Sequence, residues 1–154
     1  MKFSDKLVSM NACQEAIDWV GRRDIKSAWR DCPRGDWMLW LAGRLDIDRK
    51  LLVLAACDCA ETALQYVPKG EDRPVKCIQV SRNWCNGTAS MDDVRAARRD
   101  ADAAAAYAAA AAAYDAAAYA DAAATYAAAR KTAQQTCADL IRKRIPLDVI
   151  TLLL

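Results

Sequence analysis

The 154-residue chain contains no histidine and only five glycines. Without histidine, no imidazole can act as a general acid or base, and no metal site that uses histidine can form. With so few glycines, no Gly-rich phosphate-binding loop is present. No run of about 18 uncharged apolar residues occurs, so the sequence predicts no transmembrane helix. We therefore expect a protein that is not an enzyme and uses neither metal nor cofactor.

An excess of charge of either sign is also missing. The chain has 22 Lys and Arg against 20 Asp and Glu, a formal net charge of +2. This value is too small to indicate a nucleic-acid groove or a membrane-surface binder. The first ten residues carry three charges and lack the apolar core of a secretory signal, so we expect a cytoplasmic protein without nucleic-acid or membrane partners.

Seven cysteines are present, an odd number that indicates reduced thiols rather than a disulfide framework. Most of them are expected to act as small core hydrophobes. The segment closest to a metal motif is Cys57-Asp58-Cys59. On a helix these two cysteines point about 200° apart, so they cannot hold one ion together.

Residues 1–87 predict about five short helices. Asn11 begins the first, which ends at Gly21, and Asp24 caps the second. Asp36 is predicted to cap the third, with Gly35 allowing the turn before it. The fourth and fifth are predicted over residues 48–66 and 72–84. All five tryptophans lie in this part, and most are expected to be buried, with one or two left at the surface as partner anchors.

Residues 88–146 form an Ala-rich segment, in which Ala fills 21 of the 29 positions from 101 to 129. Alanine is the strongest helix former, so this segment predicts about 54 helical residues, or about 80 Å if unbroken. That length is more than twice the width expected of the remaining bundle. We predict a fold-back near Tyr114-Asp115 as an antiparallel pair; a rod that forms a homodimer is the alternative.

The chain is thus expected to be one all-α domain over residues 1–154. It would consist of the Trp-rich part (1–87), the Ala-rich part (88–146) and an apolar tail (147–154) that covers a core groove. In the Ala-rich part, Arg95, Arg98 and Arg99 form a small basic cluster. The acidic residues beside it favour a solvated helix face over a phosphate site.

Several short segments carry a resemblance to a known family. The most specific are Arg-Gly-Asp-Trp-Met-Leu-Trp-Leu over residues 34–41 and Gly-Glu-Asp-Arg-Pro over residues 70–74. Weaker matches are Ala12-Cys13, Ala28-Trp29 and Ala55-Ala56-Cys57. These residues resemble the small Ala-rich immunity proteins of bacterial polymorphic toxin systems, which also occur on phages. The resemblance implies a cytosolic protein that binds and neutralises a toxin.

Two functions stay open at this point. The first is a non-catalytic inhibitor that binds a toxin or effector protein stoichiometrically. The alternative is an anti-defence module of a phage or mobile element that sequesters a small molecule or nucleotide in a pocket walled by Trp and Arg. For the segment 34–40, a role in core packing alone is a further alternative. The candidate partner-binding residues are Arg34, Asp36, Trp37, Trp40, Glu71, Asp72 and Arg73.

Overall fold

A computed structural model describes the backbone of residues 2–116 and 122–153, and the side chains of residues 2–103 and 129–153. All regular structure in this described part is helical, as predicted. A 3₁₀ turn, Leu64–Tyr66, follows the fifth helix. The α-helices are α1 (Phe3–Ser9), α2 (Gln14–Val20), α3 (Ile25–Asp31), α4 (Gly35–Arg44), α5 (Arg49–Glu61), α6 (Arg73–Cys85), α7 (Met91–Ala116), α8 (Ala122–Arg144) and α9 (Leu147–Leu152).

Side-chain caps set several of these helix starts. The carboxylates of Asp24 and Asp48 accept hydrogen bonds from backbone N–H groups in the first turns of α3 and α5, which confirms the predicted cap at Asp24. Before α7, Ser90 and Asp93 each accept from the backbone N–H of the other, at 3.1 and 2.8 Å. This reciprocal arrangement is a capping box, and it satisfies two N–H groups that a helix start would otherwise leave unpaired.

The start of α4 differs from the prediction. The helix begins at Gly35, with Arg34 at the N-cap, so Asp36 lies inside the first turn and does not cap it. Nor does Gly35 supply a positive φ. Instead, a Cβ atom at Gly35 would lie 2.5 Å from Cβ of Cys137 on α8. The glycine is needed because two helices approach closely there, and the partner lies about 100 residues further along the chain.

The start of α2 also differs. Asn11 has a positive φ of 60° and does not cap the helix, which begins at Gln14 with Cys13 at the N-cap. Helix α1, which the sequence pattern did not define, precedes it and buries Leu7.

The hydrophobic core lies between α1–α5, the end of α8 and α9. Met38, Ile141, Ile145 and Ile150 are the largest side chains that are fully buried. Ile150 belongs to α9, which packs against α3. This part of the apolar tail therefore lies in the core, whereas Leu152 and Leu153 are exposed.

An ion cluster around Asp58 joins three helices. The carboxylate of Asp58 on α5 is 14 % exposed and accepts from Arg82 of α6 at 2.9 Å. Arg144 of α8 donates to the same carboxylate through two nitrogens, at 2.9 and 3.1 Å. Such charge-assisted bonds are stronger than neutral ones, and here they link both α6 and α8 to α5.

Both ends of the Ala-rich segment contact the rest of the chain. Helix α7 packs on α6, and α8 packs on α4 and α5. Helix α7 continues past Tyr114 and Asp115 to Ala116, and residues 117–121, where the chain leads into α8, lie outside the described part. The antiparallel pairing of α7 with α8 stays a prediction, as does the homodimer.

Candidate functional site

A row of aromatic rings and guanidinium groups lies on the face formed by α2 and the start of α4. Cζ of Arg34 lies 4.5 Å from the ring centroid of Trp37, and the rings of Trp37 and Trp19 lie 6.1 Å apart. Cζ of Arg23 lies 4.7 Å from the Trp19 centroid. These are cation–π distances at both ends of a tilted ring pair. We call this row, with the carboxylates of Glu15 and Asp36, the Trp–Arg surface.

Helical spacing accounts for part of this row. Glu15 and Trp19 are four residues apart and so line one face of α2, whereas Arg23 follows the end of that helix and folds back over the Trp19 ring. Arg34 and Trp37 are three residues apart at the start of α4. Residues of the opposite face of α4 enter the core, whereas Trp19 and Trp37 are only half-buried. The segment 34–40 therefore packs against the core and also reaches the surface.

Two carboxylates fix the guanidinium of Arg34. Its Nε and Nη2 donate to the two carboxylate oxygens of Asp36 at 2.9 and 2.7 Å, and Nη1 donates to Glu15 at 3.2 Å. The hydrogen bonds to Arg34 lower the pKa of Asp36, and those to Asp36 raise the pKa of Arg34. Arg34 and Asp36 both stay charged at neutral pH, so the guanidinium is held over the Trp37 ring before any partner arrives.

A side chain of α8 fixes the position of this surface. The backbone N–H of Asp36 donates to Oε1 of Gln134 at 3.1 Å, next to the close approach at Gly35. The Trp–Arg surface is thus mounted on packed helices rather than on a loop.

Grooves lie on both sides of Arg34 and Trp37. One, of about 460 Å³, extends to Trp40, another predicted site residue. The other, of about 550 Å³, lies between the Trp–Arg surface and Arg130 and Lys131 of α8. Sequence reasoning missed these two cations, and no local pattern could have found them because they come from a distant part of the chain. The four-residue spacing of Glu15 and Trp19 on α2 was a usable signal.

The second predicted set, residues 71–73, forms a local cluster instead. Arg73 donates to Glu71 from Nε at 2.7 Å and from its backbone N–H at 3.1 Å. These bonds lower the pKa of Glu71 to about 2. Asp72 pairs with Lys76 at 2.6 Å within the start of α6. In the described part of the chain, no hydrogen bond or ion pair joins this set to the Trp–Arg surface, so the structure separates the predicted residues into two groups.

The prediction that most tryptophans belong to the core is confirmed, since four of the five lie in the core or pack against it. Trp29 is 3 % exposed, whereas Trp19, Trp37 and Trp40 pack against the core and stay partly accessible. These three partly buried rings are near one another on α2 and α4, and Trp84 on α6 is also partly buried.

The two thiols of the Cys57-Asp58-Cys59 segment face different helices. Sγ of Cys57 lies 3.9 Å from the carbonyl oxygen of Ile78 on α6, and Sγ of Cys59 lies 3.7 Å from that of Cys137 on α8. Burial raises the pKa of both thiols, that of Cys59 to about 12. They are protonated at neutral pH and therefore poor nucleophiles. Within the described residues, no cluster of three metal-ligating side chains occurs.

Residues 45–143, from the end of α4 through α8, match a protein family described as "Imm-5 like putative immunity protein". The chain belongs to this family. Its membership confirms the immunity part of the resemblance. No curated protein and no solved structure matches the chain. Among the helices that the structure describes, none has the length and apolarity needed to cross a membrane.

The family match divides the predicted site residues. Glu71, Asp72 and Arg73 lie within the matched region, whereas Arg34, Asp36, Trp37 and Trp40 precede it. The matched region thus contains α5–α8. Helix α4, which precedes it, packs against α8 where Gly35 approaches Cys137.

Proposed function

We propose that this immunity-family chain is a non-catalytic inhibitor that binds a toxin or effector protein stoichiometrically through the Trp–Arg surface. The observation that carries this proposal is the fixed row of partly exposed Trp rings and guanidinium groups on α2 and α4. Trp and Arg are the residue types that contribute most to binding at protein interfaces. Since Arg34 is already held by Asp36 and Glu15, little side-chain entropy is lost when a partner binds.

The role proposed for residues 71–73 is smaller. Glu71 and Arg73 satisfy each other, and Asp72 is engaged with Lys76. A partner would have to break these local pairs to use the same charges. We therefore assign this segment to the start of α6 rather than to the contact surface.

The alternative, in which a small molecule or nucleotide is sequestered, draws on the 550 Å³ groove and its Trp and Arg lining. Against it, Arg34 donates three hydrogen bonds to carboxylates and covers one face of Trp37. A phosphate would have to displace those carboxylates, and a base would have to displace the guanidinium. The groove is therefore better suited to a protein that binds without displacing the contacts of Arg34 with Asp36, Glu15 and Trp37.

Affinity capture distinguishes the two functions. The tagged chain would be incubated with host lysate, and both the retained proteins and the small molecules released by heat would be identified by mass spectrometry. The inhibitor function predicts one protein at a 1:1 ratio, retained by the wild type and by Trp84→Ala. It predicts at least about a tenfold loss with Trp37→Ala. Trp84 is a matched control because it is also partly buried but lies on α6. A released nucleotide or metabolite without any protein would contradict the proposal.

A further inference from the structure

We propose that the Trp–Arg surface receives an acidic face of the partner protein, seated in the groove between Trp37 and the α8 cations Arg130 and Lys131. This inference rests on the proposed inhibitor function and adds the chemistry of the partner. It is carried by the distribution of paired and unpaired charges around the groove.

The groove lining contains three cations and one carboxylate, Glu15. The cations differ in their surroundings. Arg34 is engaged by Glu15 and Asp36, whereas Arg130 and Lys131 are exposed and form no ion pair with any side chain that the structure describes. Their charge is therefore available to a partner without breaking an existing contact. Because they project from α8, they face the aromatic row from the other side of the groove.

A second basic groove continues the same side of the molecule. It measures about 650 Å³, and it is lined by Arg22, Arg23, two lysines of the N-terminal region and Asp24. The carboxylate of Asp24 is occupied in capping α3. Arg23 connects the two grooves, since its guanidinium stacks on Trp19.

The charge of the chain is thus unevenly distributed. The two groove linings together hold seven cations and two carboxylates, a net charge of +5, whereas the whole chain carries +2. The remaining residues are therefore net negative. Complementary potentials guide association and favour the correct partner, so this side of the molecule is suited to an acidic protein face.

The aromatic rings favour a protein over a nucleic acid. Single strands bind by stacking bases on open ring faces along a continuous positive track. Here guanidinium groups cover faces of Trp19 and Trp37, at 4.7 and 4.5 Å from the ring centroids. The track is also interrupted by the carboxylate of Glu15. A protein can place its carboxylates against Arg130 and Lys131 and present a hydrogen-bond donor to Glu15, whereas a phosphate backbone has no such donor.

The test uses the full chain and two probes of equal charge, a poly-glutamate peptide and an oligothymidylate. Binding is followed through the indole N–H signals of the five tryptophans in ¹H–¹⁵N NMR spectra. The proposal predicts that poly-glutamate shifts the signals of Trp19 and Trp37 but not that of Trp84. It also predicts that poly-glutamate binds more tightly than the oligonucleotide, and that binding weakens between 50 and 500 mM salt because the charges are exposed.

Charge reversal locates the contact. Arg130→Glu with Lys131→Glu is expected to weaken poly-glutamate binding at least about tenfold at low salt. The matched control is Lys69→Glu with Arg99→Glu, which reverses two exposed cations elsewhere that form no ion pair with the described side chains. It should weaken binding less than about threefold, through the change in net charge alone. Circular dichroism checks that both variants are folded.

Three results would overturn the inference. They are tighter binding of the oligonucleotide, an equal loss in the control variant, or no shift at Trp19 and Trp37. The inhibitor function is judged separately, with the protein captured by the wild-type chain. If that protein binds Arg130→Glu/Lys131→Glu unchanged, the inhibitor function stands and the acidic-face inference fails. If no protein is captured, the inhibitor function fails whatever the probes show.

Discussion

Asp58 and Arg34 each hold together a cluster of ion pairs, but the surroundings of the two clusters differ. The carboxylate of Asp58 is 14 % exposed and joins α5 to arginines of α6 and α8. Arg34 pairs with Asp36 in its own segment and with Glu15, whose side chain is 70 % exposed. The first cluster fixes the packing of three helices, whereas the second leaves charges and a ring at the surface. Similar ion pairs thus support the fold in one place and prepare a contact surface in the other.

The largest expected effect is on the Asp58 cluster. Asp58→Ala leaves Arg82 and Arg144 without their shared acceptor, so we expect the free energy of unfolding to fall by about 2–3 kcal/mol. Urea denaturation followed by circular dichroism measures this. Asp102→Ala is the control, since the pair between Asp102 and Arg98 is exposed on both sides and should contribute less than about 0.5 kcal/mol. Equal losses of stability in the two variants would show that the Asp58 cluster contributes no more to the fold than an exposed ion pair does.

The next prediction concerns the packing of α4 on α8, which a methyl group added at Gly35 would disturb. Gly35→Ala is expected to lower the free energy of unfolding by about 1–3 kcal/mol, because the new Cβ overlaps Cβ of Cys137 and the helices must separate. It should also shift the Trp37 indole signal.

Gly43→Ala is the matched control for this change. The added Cβ would lie 3.6 Å from Cδ2 of Leu52, an ordinary contact, and replacing glycine within α4 favours the helix. We expect Gly43→Ala to be neutral or stabilising by up to about 1 kcal/mol. A Gly35→Ala chain as stable as wild type would show that the close approach does not limit packing.

Arg34→Lys tests the contact surface while keeping its charge. Lysine cannot donate two parallel hydrogen bonds to Asp36 or stack its planar group on Trp37. We expect less than about 1 kcal/mol loss of stability, because the cluster is partly exposed. Affinity for the captured partner protein, measured by calorimetry, should fall about three- to tenfold. Unchanged affinity would show that the fixed guanidinium is not part of the contact.

The smallest effect is expected at Glu71, whose pairs with Arg73 are local and only partly buried. Its pKa in the folded chain is about 2, below its ordinary value of 4.5. Its contribution to stability is therefore complete above pH 4.5 and is lost as the pH falls towards 2. The wild type should be slightly more stable than Glu71→Gln at pH 7, and urea midpoints should show this difference disappearing by pH 2. A stability difference that stays constant from pH 7 to pH 2 would refute the claim that the contacts with Arg73 lower the pKa of Glu71.

The sequence predicted those parts of the fold that depend on neighbouring residues. The cap at Asp24 and the extents of α5 and α6 follow from local spacing, and the structure agrees with them to within a few residues. The role of Gly35 could not be predicted in this way, because it depends on Cys137 on α8. The prediction that Asp36 caps α4 was wrong for a similar reason. Its N–H group donates to Gln134 on α8, and no local pattern reveals this contact.

The candidate site was only partly predictable. Trp37 and Arg34 were identified because they share one short, distinctive segment. Trp19 and Arg23 join them through packing between α2 and α4, and Arg130 and Lys131 through the return of α8. Residues 71–73 were included because they are charged and distinctive, but their charges are satisfied locally.

The most direct test of the account compares Trp37→Ala with Trp84→Ala for partner affinity and stability in one experiment. Both rings are partly buried, so both variants should lose about 1–2 kcal/mol of stability and remain folded. Calorimetry with the captured partner protein should give a Kd at least about tenfold weaker for Trp37→Ala and unchanged for Trp84→Ala. Equal affinity of the two variants, or loss of helicity in Trp37→Ala alone, would contradict the claim that the Trp–Arg surface is where the partner binds.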